Sequence, residues 1–316
     1  MGRRGALVLC ASSLLGACAI EPPPTNASPY ESSTARAPGA SSSASSEPST
    51  PNSPTASATE TAGSANPATT TPDPSPEAVP AVGIVGTNHN ATAAAYAVPA
   101  ATVHTWLTTK TGPATKTAFL TFDDGPSVLT PQVLDALKLL GVPATFFVIG
   151  RYLELNPAIT QRAMAEGHAI CLHSYSHDYT YLFPGRVGNV VNIAADYDKA
   201  LAVATRVLGP TYAPGGYRYP GGHMSWTGLE AADAALAQRN VSWIDWNCMS
   251  GDADKKPSAN PDAAIANLTS TFTASGSPSA AVMLNHDSHG AHVTLAALPR
   301  FVQFFRDRGY AFGVIG

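Results

Sequence analysis

Two short segments carry side chains suited to metal chemistry. Asp123 and Asp124 end one apolar run, and His173 and His177 follow another about fifty residues later. One carboxylate and two imidazoles can bind a divalent ion and leave coordination positions open for water and substrate. That arrangement is typical of catalytic zinc, although the same set also suits non-haem iron. The second carboxylate remains free to act as a general base, so the combination predicts metal-assisted hydrolysis.

The spacing within each pair indicates where its two side chains point. Neighbouring residues on a strand face opposite ways, so one carboxylate can bind the ion while the other faces the substrate. If the chain turns helical after Leu172, the four-residue spacing puts both imidazoles on one face of that helix. Taken alone, the carboxylate pair also fits a polar turn after a strand, and the histidine pair also fits two surface or core histidines that have this spacing by chance. Their occurrence together favours the metal site.

Three later segments offer further groups for catalysis. Arg218 precedes the turn Pro220-Gly221-Gly222. An arginine can hold a carboxylate base by bidentate pairing, and backbone N–H groups of such a turn can bind an oxyanion. His286 ends a buried run and is a natural general acid. Trp246 ends another apolar run. Taken alone, the three segments also fit a loop arginine, a capping histidine and a core aromatic residue.

The elements around these motifs alternate between helix and strand. Capping residues predict helix 130–141 before strand Ala144–Ile149, helix 156–167 before strand Ala169–Leu172, and helix Thr294–Arg308 before strand Tyr310–Ile315. This alternation is typical of a parallel α/β architecture. The motifs fall at the C-terminal ends of strands, where such folds place their active sites.

The motifs, in this order, resemble those of a known enzyme family. TFDDGPS, HSYSH, RYPGG, WNCMSGDA and MLNHDS resemble the motifs of the polysaccharide deacetylases of carbohydrate esterase family 4, the chitooligosaccharide-deacetylase homology domain. Their style is closest to bacterial peptidoglycan N-acetylglucosamine deacetylases. The resemblance covers about residues 115–316. It implies an α/β fold, a distorted (β/α) barrel of about seven parallel strands with the metal site at their C-terminal ends, in a catalytic domain over residues 113–316.

The resemblance also implies roles for individual residues. Asp124, His173 and His177 would bind a divalent ion, with Zn²⁺ favoured and Co²⁺, Ni²⁺ or Mn²⁺ as alternatives. The implied catalytic groups are Asp123 as general base, Arg218 as its orienting partner, the N–H of Gly221 as an oxyanion donor, and His286 as general acid. The residues implied to line the substrate pocket are Leu284, Trp246 and Tyr219.

One position departs from the family pattern. The fourth motif usually supplies an aspartate where Met249 stands here, and that aspartate supports the catalytic histidine. Asp245, Asp252 and Asp254 are candidates to replace it. Because the base, ligand and acid positions are intact, we expect an active enzyme.

The predicted substrate is an acetylated glycan of the cell envelope. The resemblance favours removal of N-acetyl groups from N-acetylglucosamine in peptidoglycan. A chitooligosaccharide deacetylase or an acetylxylan esterase is the first alternative, and an inactive glycan-binding member of the family is the second. The net charge of −4 gives no basic surface for nucleic acid, so no such partner is expected. We expect a monomer.

The N-terminal part predicts export. Residues 1–18 resemble a lipoprotein signal peptide, with Cys18 as a lipid anchor that would hold the protein on the membrane facing the cell wall. Simple cleavage and secretion is the alternative. Residues 19–81 are a Ser/Thr/Pro/Ala-rich segment expected to act as a disordered tether, and 82–112 are a lead-in segment of uncertain structure. Cys171 and Cys248 are either buried thiols or a disulfide.

Overall fold

The structure is a computed structural model that describes residues 83–288 and 290–316. The predicted signal segment (1–18), with its lipid-anchor Cys18, and the predicted tether (19–81) lie outside the described residues. Among the residues that are described, no helix is both long and apolar enough to cross a membrane.

Helices and strands alternate along the described chain. The strands are β1 (Ala97–Val98), β2 (Thr117–Asp123), β3 (Thr145–Val148), β4 (Ala169–Leu172), β5 (Gly216–Tyr217), β6 (Ser242–Trp243), β7 (Cys248–Met249), β8 (Ala280–His286), β9 (Ala311–Phe312) and β10 (Val314–Ile315). The α-helices are α1 (Ala100–Thr109), α2 (Thr130–Leu140), α3 (Gly150–Leu155), α4 (Pro157–Ala165), α5 (Tyr179–Leu182), α6 (Val190–Leu208), α7 (Glu230–Ala237), α8 (Pro261–Ala274) and α9 (His292–Arg306). Short 3₁₀ turns cover Ala93–Ala95, Pro184–Arg186 and His223–Ser225.

Seven parallel strands form one curled sheet. Their order is β6-β5-β4-β3-β2-β8-β7, and β9 pairs with one end of β2. The curled sheet and its helices form the predicted distorted (β/α) barrel, which is confirmed. Because all these strands run the same way, their C-terminal ends meet at one edge of the barrel. That edge carries the residues that follow β2, β4, β5 and β8.

Alternation along β2 separates the barrel interior from the helical layer. Leu120 and Phe122 are fully buried in the large core shared with the helices. Phe119 belongs instead to a second cluster with Phe147, Cys171 and Val282 from the neighbouring strands. Side chains two positions apart share a face of a strand. The interior side of Phe119 is therefore also the side of the residues at 121 and 123.

The lead-in segment packs onto the barrel. Val103 of α1 is fully buried in the interior cluster, together with Ile315 of β10. Strand β1 pairs in parallel with β10, and the Asn88 side-chain amide donates a hydrogen bond of 2.9 Å to the Ile315 carbonyl. These contacts close the end of the barrel opposite the motif-bearing edge. The described part of this segment, from Gly83, therefore belongs to the packed domain.

The predicted elements differ from the observed ones mainly at their ends. Strand Ala169–Leu172 is confirmed, whereas the last helix runs over His292–Arg306, two residues earlier than predicted. The predicted final strand is two strands, β9 beside β2 and β10 beside β1. The break falls at Gly313, whose N–H bonds the Ala118 carbonyl.

Cys171 and Cys248 are free, buried thiols, so the disulfide alternative is wrong. The cause is the strand order, since Cys171 lies on β4 and Cys248 on β7, with β3, β2 and β8 between them. Neighbouring strands are about 4.8 Å apart, so the two thiols are far beyond the reach of a disulfide bond.

Candidate metal and catalytic site

Asp124, His173 and His177 converge at the C-terminal edge of the barrel. Asp124 Oδ1 lies 3.2 Å from His177 Nε2 and 3.5 Å from His173 Nε2. Ligand atoms of the three residues all lie within 4.8 Å of one another. Asp124 Oδ1 is buried and has no hydrogen-bond partner among the described residues. A buried carboxylate oxygen that faces two imidazole nitrogens fits a bound cation.

The two histidines present neutral nitrogen to this point. His173 Nδ1 lies 2.7 Å from the Arg218 carbonyl oxygen, which accepts its proton and so leaves the Nε2 lone pair facing Asp124. Burial lowers the pKa of His173 and of His177 to about 4. Neutral imidazole is the form that binds metal ions, so both rings suit the ligand role at neutral pH.

The backbone between the histidines corrects one sequence expectation. The chain does not turn helical after Leu172, because α5 begins only at Tyr179. Ser174 and His177 instead adopt left-handed φ values of 64° and 53°. The imidazoles face one point because of this irregular loop, not because of helical spacing.

Asp123, the predicted base, is held by Arg218. Both side chains are almost fully buried, and Arg218 Nη1 donates to Asp123 Oδ1 at 2.7 Å. The pair is joined by this one bond and not bidentately, because the remaining guanidinium bonds go to Thr121 and to the carbonyls of Ile244 and Asp245. Burial raises the pKa of Asp123 and outweighs the opposing effect of Arg218. Its carboxylate is thus oriented and has a higher proton affinity than an exposed one.

His286 is held by Asp252. Asp252 Oδ1 accepts from His286 Nδ1 at 2.8 Å, and its Oδ2 accepts the His286 backbone N–H at 2.8 Å. Thr294 Oγ1 donates to the same Oδ2 at 2.5 Å. Of the three carboxylates considered as replacements at Met249, Asp252 is therefore the one that contacts the histidine.

The charge of Asp252 keeps His286 protonated. Burial acts to lower the pKa of His286, but the charge and hydrogen bond of Asp252, with Asp124 and Asp123 nearby, raise it to about 10. His286 therefore carries a proton on Nε2 at neutral pH and can donate it. Asp123 and His286 are also register partners on β2 and β8, so the groups with raised proton affinity lie side by side.

The turn after Arg218 presents a free backbone donor. Gly221 has a φ of 78°, and its N–H makes no hydrogen bond within the described residues. Ser225 Oγ donates to the Gly221 carbonyl at 2.7 Å, and Trp226 Nε1 donates to the Pro220 carbonyl at 2.8 Å. These bonds fix the turn and leave the Gly221 N–H available for an oxyanion.

Two of the three predicted pocket residues lie beside the site, and one does not. Leu284 is on β8 two residues before His286, and Trp246 lies against the turn, where a Cβ on Gly222 would come within 2.7 Å of its ring. Tyr219 is a correction. Its side chain is fully buried, and its hydroxyl donates to Asp233 at 2.8 Å. It cannot line a pocket open to substrate.

The sequence reasoning missed three residues around the site. Tyr179 follows His177 by two positions, and its ring lies 5.2 Å from that imidazole. Thr294 bonds Asp252, and Asp196 of α6 bonds the histidine loop. Only Tyr179 had a local signal, as an aromatic residue next to the HSYSH motif. The other two make bonds across 42 and 21 positions of sequence, respectively, and the residues next to them along the chain do not indicate these bonds.

Comparisons with known proteins agree with this geometry. Residues 110–238 match the family model described as polysaccharide deacetylase. A peptidoglycan-N-acetylglucosamine deacetylase of Bacillus cereus is 32% identical over 204 residues, which is 64% of this chain and 70% of that protein. A chitooligosaccharide deacetylase of Bradyrhizobium is 34% identical over 177 residues, 55% of this chain and 72% of that protein.

A solved structure gives the same result. A CE4 esterase of Streptococcus mutans superposes with a TM-score of 0.70 at 39% identity, covering 74% of this chain and 98% of that one. On these matches, the chain belongs to the polysaccharide deacetylase family and is a hydrolase.

Proposed function

We propose that the protein is a Zn²⁺-dependent enzyme that removes N-acetyl groups from N-acetylglucosamine in peptidoglycan. The observation that carries the proposal is the pairing of Asp123 with His286 across β2 and β8, directly beside the cluster of Asp124, His173 and His177. A base, an acid and a cation site side by side at one edge of the barrel are the groups that amide hydrolysis requires.

The chain supplies each proton transfer of the hydrolysis. A Zn²⁺ ion held by Asp124, His173 and His177 would polarise the acetamide carbonyl and acidify a water molecule. Asp123 accepts the proton of the attacking water while Arg218 keeps its carboxylate oriented. The Gly221 N–H donates to the developing oxyanion. His286 then protonates the sugar nitrogen as the carbon–nitrogen bond breaks, which releases acetate and a free amine.

The choice of peptidoglycan is supported by the relatives and by the predicted export signal. Several relatives are named peptidoglycan-N-acetylglucosamine deacetylases, including those of Bacillus cereus and Listeria monocytogenes. A chitooligosaccharide deacetylase and a bifunctional xylanase/deacetylase also match. All these substrates present an acetyl group beside a pyranose ring. We therefore keep chitooligosaccharide and acetylxylan as alternatives.

Acetate release tests both the substrate and the metal. The chelated protein is incubated with purified peptidoglycan, N-acetylglucosamine oligomers or acetylxylan, each with and without added Zn²⁺. We expect Zn²⁺-dependent acetate from all N-acetylated glycans, and the highest kcat/KM on peptidoglycan. Fastest release from acetylxylan would favour the esterase alternative. No metal-dependent acetate from any glycan would favour a glycan-binding protein without catalysis.

Membrane anchoring is a separate part of the proposal. We infer that Cys18 is lipidated, that residues 19–81 tether the domain to the outer face of the membrane, and that the protein acts there as a monomer. A Cys18→Ser variant should leave the membrane fraction and fail to incorporate labelled fatty acid. Equal membrane content in both proteins would contradict the anchor and leave the catalytic proposal unaffected.

A further inference from the structure

The loop that joins the two histidine ligands is held by one carboxylate of helix α6. Asp196 Oδ1 accepts the backbone N–H of Tyr175 at 2.6 Å, and its Oδ2 accepts that of Ser176 at 3.1 Å. Asp196 is only 5% exposed. Both amides between the left-handed residues Ser174 and His177 thus donate to a single desolvated carboxylate.

This loop needs such a partner because its backbone is strained. Ser174 and His177 both have left-handed φ values, which are unfavourable for residues other than glycine. A hydrogen bond to a charged group stabilises more than one between neutral groups. The two bonds to Asp196 therefore oppose the strain and hold the loop in its observed shape.

The two histidines differ in how far they depend on the loop. His173 directly follows β4, and its ring is fixed from behind by the Arg218 carbonyl. His177 lies at the far end of the loop, where its N–H donates to Ser174 Oγ at 2.8 Å. The position of the His177 ring, 3.2 Å from Asp124, is therefore set by the loop backbone that Asp196 holds.

We propose that Asp196 is a positioning residue for the metal site. It presets the loop before any ion binds, so that the His177 imidazole already faces Asp124. The inference rests on the proposed metal site and adds to it a residue that touches neither ion nor substrate. Loss of groups that orient metal ligands typically costs 10–100-fold in metal affinity. We expect a loss of Zn²⁺ affinity of the same size when Asp196 is replaced.

The test is the Zn²⁺ affinity of Asp196→Asn, measured in the metal-free protein by competition with a chromogenic chelator. Asparagine keeps the size of the side chain but removes its charge, and its NH₂ group opposes one of the two amides. We expect the Kd for Zn²⁺ to rise by about 10–100-fold. In a His177→Ala background, the same substitution should change the Kd much less, because the ligand it positions is gone.

Asp245→Asn is the matched control. Asp245 is also buried, and it accepts two consecutive backbone amides, those of His223 at 2.8 Å and Met224 at 3.3 Å, on a loop without a metal ligand. We expect this variant to lose thermal stability to a similar degree while its Kd for Zn²⁺ stays unchanged. Asp196→Glu, which retains the charge and both acceptor oxygens, should recover part of the lost affinity.

Three results would overturn the proposal. The first is an unchanged Kd in Asp196→Asn, and the second is an equal loss of affinity in Asp196→Asn and Asp245→Asn. If Asp196→Asn does not fold, hydrogen exchange in the metal-free wild type decides, since the backbone amides of Tyr175 and Ser176 should exchange slowly. Rapid exchange of these two amides is the third result. A wild type that binds no Zn²⁺ would instead contradict the proposed metal site itself.

Discussion

Replacing Asp252 by asparagine should move the alkaline limit of activity to lower pH. Asp252 accepts both the Nδ1–H and the backbone N–H of His286, each at 2.8 Å. Its charge is the main influence that raises the pKa of that histidine to about 10, against the lowering effect of burial. Asparagine can still accept from Nδ1, but it brings no negative charge to stabilise the imidazolium.

The size of the shift follows from the charge that is lost. A hydrogen bond to a charged group contributes about 1.5–3 kcal/mol, and one pKa unit corresponds to about 1.4 kcal/mol. The pKa of His286 should therefore fall by about 1–2 units. Since a general acid works only while protonated, the alkaline limb of kcat/KM should fall at a pH lower by the same amount. The maximum of kcat/KM should fall less in Asp252→Asn than in Asp123→Asn, which removes the base.

The assay is acetate release from an N-acetylglucosamine oligomer across pH 6–11, with Zn²⁺ saturating. Asp254→Asn is the matched control, because this exposed carboxylate is near Asp252 but makes no hydrogen bond to His286 in the described structure. We expect its profile to follow the wild type. An alkaline limb that stays in place in Asp252→Asn, or moves to higher pH, would refute the assignment of His286 as an acid tuned by Asp252.

Further variants separate metal binding, proton transfer and stability. Asp123→Asn should bind Zn²⁺ as the wild type does in calorimetry but lose about 10²–10⁴-fold in kcat, and near-normal turnover would contradict its role as base. His173→Ala should lose both Zn²⁺ binding and turnover; retained binding would remove it from the ligand set. Burial lowers the pKa of His168 to about 4, below the value of 6.5 for an exposed histidine, so stability is lost as pH falls through this window. Between pH 7.5 and 5, the free energy of unfolding of the metal-free protein in urea should therefore fall by about 2 kcal/mol less in His168→Asn than in the wild type. An equal fall in both proteins would be incompatible with a buried neutral ring.

The barrel could be predicted because its longer units carry strong local patterns. Proline and glycine mark the ends of helices such as α2, and apolar runs mark strands such as β4. Strands β5, β6 and β7 have two residues each, too few to show any periodicity. They are strands only because their neighbours pair with them, which is information that the local sequence does not contain.

The site was predictable where a motif lies on one strand end and less so where it depends on backbone conformation. Nothing in the residue types of Ser174 or His177 indicates a positive φ, so helical spacing was the only route to converging imidazoles that the sequence suggested. The error at Tyr219 was avoidable. Arg218 points into the barrel, so alternation sends Tyr217 and Tyr219 to the opposite side, where their rings pack 5.1 Å apart.

In the structure, Asp252 contacts His286 in place of the aspartate that is missing at Met249. The backbone N–H of Met249 donates to the Thr271 hydroxyl of α8, and the Met249 carbonyl accepts from the Asn267 side chain of the same helix. Its position therefore serves to join β7 to α8, while the carboxylate that His286 needs comes from Asp252, three residues later. A Met249→Asp substitution should accordingly leave the alkaline limb of kcat/KM unchanged. A shift of that limb to higher pH would mean that a second carboxylate, at position 249, reaches His286 and raises its pKa further than Asp252 alone does.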